Sequence, residues 1–332
     1  MRTLVVISII LLCIGANVVT GFHTNSPNNP EPLDRNNWLY VGGSGPGNYT
    51  TIQSAINAAS PGDTVFVYDD SSPYLETLVI PTSLSLIGEN KQTTIIDGAN
   101  TNDIVNITAD NVTIMEFTLQ NSNDSGVVIN SNNNTITENI FHDVFYGVST
   151  GRMSLSLGLH NNTIDNNRFI AIDAGVFFWY VWDTVITRNV FSHCDDAISM
   201  TISLNTNISF NIITQNFIGI WIMIGYHTIV YRNNISYNSR FGLYSGGTNA
   251  DRIIQNNFIG NNESAVSSQW WIPELKLWRS LGLPYFRRNV WKGNYWDEPH
   301  IGPYMIPGLL FKLRFHFDWF PAQEPYDIPS LK

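Results

Sequence analysis

The sequence predicts an all-β protein: a single-stranded right-handed parallel β-helix, a solenoid of about ten coils. It also predicts an N-terminal capping helix and a C-terminal tail packed on the solenoid. Three observations support this fold: an asparagine that recurs at a nearly constant spacing, apolar residues at fixed offsets from it, and a small residue before the last apolar position of each coil.

The recurring asparagine defines the length of one coil. Most of its spacings are 22 residues, with longer steps of 28 and 33. The positions are Asn139, Asn167, Asn189, Asn211, Asn233, Asn256 and Asn289, with Phe117 in the same place one coil earlier. Side-chain amides stacked in successive coils can donate to one neighbour and accept from the other, which predicts a continuous amide ladder.

Apolar residues lie at fixed offsets from this asparagine and predict the interior. Isoleucine or valine comes three residues before it, as at Ile136, and a large apolar residue two after it, as at Phe141. A third apolar column follows: Val127, Val148, Val176, Ile198, Ile220, Leu243 and Val266. Each of these residues is preceded by glycine or alanine, and we expect the glycines to provide positive φ at a recurrent corner.

The chain divides into four predicted segments. Residues 1–21 begin with one positive charge and an apolar run, which favours a signal peptide; an uncleaved N-terminal segment that anchors the protein to a membrane is the alternative. Residues 22–47 are predicted to be a linker, 48–296 the β-helix and 297–332 the C-terminal tail. An amphipathic helix over 50–59 is expected to cover the open end of the core. The long spacings predict insertions near 151–158 and 267–284.

Composition excludes several classes of protein. The net charge is −10 and only 13% of residues are charged, without the basic clusters that nucleic-acid binding requires. Removal of a signal peptide would leave Cys194 as the only cysteine, so no intrachain disulfide would be possible.

Motifs near both ends resemble a known family. The segment 49–65 and the motif Ser83-Leu-Ser-Leu-Ile-Gly-Glu89 look like the start of many secreted β-helix proteins, and Lys292-Gly-Asn-Tyr-Trp-Asp297 resembles the NosD-like group. That group is a periplasmic β-helix family named for a nitrous-oxide-reductase maturation factor, and the tail at 317–326 is similar to those of archaeal members. The resemblance implies the fold, whereas the wider class includes both carbohydrate-binding proteins and polysaccharide-active enzymes.

Three carboxylates are the candidate catalytic residues. Asp173 and Asp195 hold the same place in consecutive coils, so their side chains are expected about 5 Å apart, with Asp196 next in the chain. Mutual repulsion in such a pair raises one pKa and separates a general acid from a base or nucleophile. The alternative is that these residues cap a turn.

Four aromatic residues are the candidate ligand-binding groups. Phe177, Trp221 and Tyr244 follow the inward apolar column by one residue, and Trp179 lies two residues beyond Phe177. Aromatic rings exposed along one side of a solenoid suit sugar rings, although the insertion or the tail covering this stripe is the alternative.

No cofactor and no metal site is predicted, because His142, His193 and His227 occupy different coil positions. Nine Asn-X-Ser/Thr sequons are candidate glycosylation sites. They are Asn48, Asn106, Asn111, Asn123, Asn133, Asn161, Asn207, Asn234 and Asn262.

The sequence thus predicts a secreted, periplasmic or cell-surface protein that binds carbohydrate or a surface partner along one flank, with a polysaccharide or cell-surface glycan as the expected partner. A glycoside hydrolase, lyase or epimerase using the three aspartates is the competing prediction. A maturation factor for a periplasmic metal enzyme is a third alternative.

Overall fold

The computed structural model describes residues 37–151, 158–268, 288–308 and 315–329. The chain winds as a single-stranded right-handed parallel β-helix of about ten coils, as the sequence predicts. Each coil contributes strands to three sheets, which we call the first, second and third faces. All strand pairs are parallel apart from the last pair of the first face.

The first face is a 13-stranded sheet. Its strands are β1 (Trp38–Val41), β2 (Asp63–Val67), β5 (Leu84–Gly88), β8 (Thr113–Met115), β10 (Thr135–Thr137), β14 (Thr163–Asp165), β17 (Val185–Thr187), β20 (Asn207–Ser209), β23 (Ile229–Tyr231), β26 (Arg252–Ile254), β29 (Val290–Lys292), β31 (Tyr304–Ile306) and β32 (His316–Asp318).

The second face begins after the first corner of each coil. Its strands are β3 (Tyr74–Leu75), β6 (Ile95–Thr101), the first half of β9 (Thr118–Ile129), β11 (Ile140–His142), β15 (Arg168–Ile170), β18 (Val190–Ser192), β21 (Ile212–Thr214), β24 (Asn234–Ser236), β27 (Asn257–Ile259) and β30 (Tyr295–Trp296).

The third face carries the longest strands. They are β4 (Leu78–Ile80), β7 (Val105–Ile107), the second half of β9, β12 (Val144–Thr150), β13 (Leu159–His160), β16 (Ala174–Trp182), β19 (Asp196–Leu204), β22 (Ile218–Tyr226), β25 (Phe241–Gly246) and β28 (Glu263–Ser268).

A helix and an additional strand form the N-terminal end. Helix α1 (Ile52–Ala58) begins at the N-cap Thr51 and buries Ile52 and Ile56 against the solenoid, as the sequence predicts. Strand β1 lies inside the stretch 22–47, which the sequence predicts to be a linker, and it pairs with β2 of the solenoid. That boundary is wrong, because Val41 is fully buried in the core and the solenoid is therefore already formed by residue 38.

The predicted amide ladder runs along the corner between the first and second faces. Asn167, Asn189 and Asn211 stack in adjacent coils, each backbone N–H donating to the next Oδ1 at 2.9 Å. Each Nδ2 also donates to the next Oδ1 and to a carbonyl of the coil before it. Phe117 occupies the same place at the start, where its N–H donates to Asn139.

The ladder continues from Asn256 to Asn294, and the predicted position of Asn289 is wrong. Asn289 belongs to another corner, where its Oδ1 accepts from the Asp251 N–H. The sequence is misleading here because Trp291 takes the inward place that isoleucine or valine fills elsewhere, pairing with Ile253.

The glycines of the third apolar column do not have positive φ, which corrects the expectation from the sequence. Gly147 is required by close packing instead: a Cβ there would lie 2.4 Å from Phe169 Cδ1 and 2.6 Å from the Gly175 carbonyl. Positive φ occurs at the three corners of each coil, mostly at non-glycine residues such as Arg188 and His193.

The interior is a continuous apolar column, with Phe141, Phe169 and Phe191 stacked at 4.9 and 4.7 Å. One predicted member is wrong: Ala265, not Val266, pairs with Leu243 and faces the core. The turn before Leu243 contains one residue more than the turn before Ala265, so counting from the preceding coil gives the wrong position.

The tail packs on the last coils. Tyr326 exchanges two hydrogen bonds with Asn257 and its hydroxyl donates to the Gly293 carbonyl at 2.7 Å. Strand β32 pairs with β29, which places Asp318 at the end of the amide ladder. The predicted insertions lie mostly outside the described residues, as does the predicted signal peptide. Within the described ranges no helix has the length and apolarity needed to cross a membrane.

Candidate functional site

The outer surface of the third face carries the candidate site. One row of side chains on this surface, which we call the aromatic row, is set by the register of five adjacent strand pairs. Its members are Ser149, Phe177, Ser199, Trp221, Tyr244 and Val266. The residues of this row follow core-facing residues such as Val176 and Ile198, so their side chains point away from the interior.

Two pairs of stacked rings lie in this region, one on each side of Ser199. Tyr146 stacks on Phe177 with ring centroids 4.5 Å apart, and Trp221 stacks on Tyr244 at 4.1 Å. In each pair one ring face is covered by its partner. Because Ser199 is the residue between Phe177 and Trp221, their other faces border the coil that contains Ser199.

Ser199 is only 8% exposed, and the interval between Phe177 and Trp221 above it is set by the coil spacing. Two coil spacings separate the strands of Phe177 and Trp221, or about 9–10 Å, because paired strands are ~4.8 Å apart. A ring in van der Waals contact with an aromatic face lies roughly 3.5–4 Å from it. A ring held between two faces at that distance needs about 7–8 Å, so the interval of two coils has room for one saccharide ring, which can stack on either face. We call this space the Ser199 slot.

A carboxyl group with a perturbed pKa lies at the base of the Ser199 slot. Burial raises the pKa of Asp196 to about 6, the Ser199 hydroxyl opposes this rise by hydrogen bonding, and the charges of Asp173 and Asp195 add to it. The Asp196 N–H donates to the Asp173 carbonyl at 2.8 Å, which places the two residues on adjacent coils. The structure thus brings together all three predicted aspartates, although Asp195 is exposed and the other two are half-buried.

One basic side chain reaches this region. Arg240 lowers the pKa of Asp196 slightly, and its guanidinium lies 4.9 Å from the Phe241 ring centroid and 5.5 Å from that of Phe217. Phe217 is 45% exposed, so the edge of the site combines an apolar ring and a positive charge.

The four predicted aromatic residues differ in accessibility. Phe177, Trp179 and Trp221 are half-buried. Tyr244 is only 2% exposed, because it packs in an outer apolar cluster with Phe241, Met223 and Val266. It therefore supports Trp221 rather than offering a ring face of its own.

Three residues of the site were missed in the sequence. Tyr146 lies two positions before the inward Val148, outside the row that the repeat indicates, and Ser199 is a small polar residue within a row for which the sequence predicts aromatic rings. Arg240 is in a corner, where the repeat predicts no orientation. The signal for Tyr146 was available, because it precedes the Gly147–Val148 pair directly.

Histidine and cysteine do not converge on a common point. Cys194 is buried, and burial raises the pKa of its thiol to about 12. His142 contacts Asp143, whereas His193 and His227 are at different corners. Over the described ranges no group of three or more His, Cys, Asp or Glu residues is placed to hold a metal ion.

The sequons are distributed over several coils. Five of their asparagines are exposed: Asn111, Asn123, Asn133, Asn161 and Asn262. Four are half-buried: Asn48, Asn106, Asn207 and Asn234.

Several solved structures have a similar fold. The pectate lyase Pel9A aligns with a TM-score of 0.50 and 12% identity, over 78% of this chain and 75% of that chain. The A-module of the Azotobacter vinelandii mannuronan C-5 epimerase AlgE6 aligns at 0.49 and 18%, over 66% and 74%. XylC in complex with xylose aligns at 0.49 and 13%, over 71% of this chain but only half of that chain. These similarities establish the fold alone.

Sequence comparison identifies the family. No curated protein sequence matches the chain. A family model described as "periplasmic copper-binding protein (NosD)" matches residues 57–300, which is most of the chain and nearly all of the described solenoid. The chain therefore belongs to the NosD family of right-handed parallel β-helix proteins.

Proposed function

We propose that this protein is an extracytoplasmic carbohydrate-binding β-helix, and that a glycan chain binds on the outer surface of the third face with one ring in the Ser199 slot. The main support is the pair of aromatic faces on Phe177 and Trp221, separated by a polar coil. Sugars present apolar faces to aromatic rings and hydroxyl groups to polar side chains, and the slot offers both. The proposed export of the chain relies on residues 1–21 as a signal peptide.

The flank beyond the slot extends the proposed binding surface. Trp179 is half-buried and lies next to Thr201 on the neighbouring strand. Thr201 and Met223 beyond it are only 7% and 4% exposed, so Trp179 is the residue of this row that extends the proposed surface.

A glycan-binding screen on the secreted protein tests this proposal. Trp221→Ala should weaken binding of a retained glycan about tenfold, since an aromatic contact contributes about 0.5–1.5 kcal/mol beyond area burial. Phe177→Ala should have a similar effect from the other side of the slot. Trp319→Ala is the matched control, because Trp319 is 62% exposed on the tail and should not matter. Unchanged affinity in both slot variants, or no bound glycan in a broad screen, would exclude this function.

A polysaccharide-active enzyme is the second candidate, and the pKa of about 6 at Asp196 favours it. A carboxyl group with that pKa is partly protonated near neutral pH and can donate a proton to a leaving oxygen. Asp173 and Asp195 would then provide the second carboxylate that glycoside hydrolysis requires. Asp196→Asn distinguishes the candidates: an enzyme would lose cleavage and keep glycan binding, whereas a binding protein shows no cleavage in the wild type.

The family description names copper, but the described side chains do not form a set of copper ligands. Copper sites use imidazole, thiolate and thioether groups. Met200 lies in the core away from the histidines, and the Cys194 thiol is kept protonated by burial. The described residues therefore do not fit a copper site, and we derive no step that involves the metal.

A further inference from the structure

The outer surface of the first face changes character at its C-terminal end. In the earlier strands the outward row contains polar residues such as Thr113, Thr135 and Thr163. At the last three strands, β29, β32 and β31, this surface carries large apolar side chains that are 37–62% exposed. The rings of Phe317 and Trp319 contact each other there, with centroids 5.4 Å apart. We call five residues the terminal patch: Val290, Met305, Phe315, Phe317 and Trp319.

The register of the strands makes the terminal patch continuous. Met305 pairs directly with Phe317 across β31 and β32. Trp291 pairs with Asp318 across β29 and β32, and both side chains are buried. The residues before them, Val290 and Phe317, therefore lie side by side on the outer surface. A continuous exposed apolar surface of this kind marks a contact site for a partner or a membrane.

Exposed apolar side chains are concentrated at this end of the solenoid. Of the fourteen large apolar side chains that are exposed within the described ranges, seven lie between residues 290 and 320. Ile301 and Phe320 add to the five residues of the terminal patch. Single exposed apolar residues scattered over a surface need no explanation, whereas a concentration of them does.

The chain around the terminal patch is basic, although the protein as a whole is acidic. Residues 269–320 contain seven lysines and arginines against four aspartates and glutamates, a net charge of +3, whereas the whole chain has −10. Arg288 and Lys292 are exposed in the part of the chain that the structure describes. The other five basic residues belong to 269–287 and 309–314, outside the described residues.

The order of the chain connects these basic stretches to the terminal patch. Residues 309–314 directly precede Phe315, and residues 269–287 end three positions before Val290. The excess positive charge is therefore attached to the same end of the solenoid as the exposed apolar side chains.

We propose that the terminal patch docks on the surface of an anionic lipid bilayer. Tryptophan and phenylalanine enter the boundary between headgroups and acyl chains, while lysine and arginine are attracted to anionic headgroups. The terminal patch and the chain beside it combine both properties. The Ser199 slot is on the third face and the terminal patch is on the first, so docking would leave the glycan site open.

A second copy of the chain fits the terminal patch less well than a bilayer does. Two patches packed against each other would bring two basic ends together, which like charges oppose. A head-to-tail contact would place the patch against strand β1, whose free edge is already in use. There the Tyr49 N–H donates to the Tyr40 carbonyl at 2.8 Å.

Sedimentation of the full chain with lipid vesicles tests the proposal. Vesicles of phosphatidylglycerol and phosphatidylcholine should bind the wild type, and vesicles of phosphatidylcholine alone should bind it much more weakly. Trp319→Ser should weaken binding to the anionic vesicles about tenfold, because the ring can no longer be buried in the lipid. Met305→Ser on the neighbouring strand should weaken it severalfold, which provides a second variant if the first does not fold.

Tyr237→Ser is the matched control. Tyr237 is 61% exposed, nearly the same as Trp319, but it is at a corner between the second and third faces, so its replacement should leave vesicle binding unchanged. No binding of the wild type to anionic vesicles would overturn the proposal, and so would equal losses in Trp319→Ser and Tyr237→Ser. Dimers in analytical ultracentrifugation that Trp319→Ser dissociates would also overturn it, because a second copy would then occupy the patch.

Discussion

Replacing Asp318 by asparagine should destabilise the protein strongly, although the two side chains have nearly the same shape. Asp318 ends the amide ladder and accepts from five N–H donors. Its Oδ1 accepts from the backbone of Gly293 at 3.0 Å and of Phe320 at 3.2 Å. Its Oδ2 accepts from the Asn294 N–H at 2.8 Å, from Asn294 Nδ2 at 3.0 Å and from Trp296 Nε1 at 3.3 Å.

The expected loss follows from the direction of the ladder. Every asparagine donates through Nδ2 to the next coil, so the last position must accept without donating. In Asp318→Asn the NH₂ group replaces one oxygen, and in either orientation it faces at least two N–H donors. A buried hydrogen bond to a charged group contributes about 1.5–3 kcal/mol, so the loss should be about 3–5 kcal/mol in the free energy of unfolding.

Urea unfolding followed by circular dichroism measures this loss. Asp327→Asn provides the control, because Asp327 is exposed on the same tail and its replacement should change the free energy by less than about 0.5 kcal/mol. A loss below about 1 kcal/mol in Asp318→Asn, or equal losses in both variants, would show that the ladder does not need an acceptor at its end.

Two further predictions concern the interior. Gly147→Ala should lower the free energy of unfolding in urea by about 1–3 kcal/mol, because the added Cβ would overlap the Phe169 ring. The double variant Gly147→Ala with Phe169→Leu should recover part of this loss. Stability should fall by about 4 kcal/mol between pH 4 and pH 7, because the pKa of Asp251 rises from 3.8 to about 7 on folding and the folded state keeps its proton longer. The stabilisation is complete below pH 4 and lost as the pH rises through 7; Asp251→Asn should lack this dependence when unfolding is measured across that range.

The sequence predicts the solenoid well because one physical constraint repeats in every coil. Parallel strands pair in register only if each coil has the same length, so Asn167, Asn189 and Asn211 must recur at one spacing. The prediction fails where the constraint is relaxed by an insertion. Beyond Asn256 the chain offers both Asn289 and Asn294, and both are in amide ladders at different corners, so residue type alone does not identify the right one.

The candidate site is less predictable because its properties depend on several coils at once. Alternation along a strand places Trp221 and Tyr244 on the outer surface, as predicted, but it says nothing about what covers them. Tyr244 is buried by residues of its own and neighbouring coils. Similarly, the pKa of Asp196 depends on its burial and on the charges of two other aspartates, which no spacing rule provides.

Function in this fold is best sought where the repeat lapses on the outer surface. The interior and the corners fix the coil, so isoleucine, phenylalanine and asparagine recur there in coil after coil. The outer rows carry no such requirement, and Phe177, Ser199 and Trp221 differ at one register position in three successive coils. A smaller residue between two large rings creates the Ser199 slot without any cost to the ladders behind it.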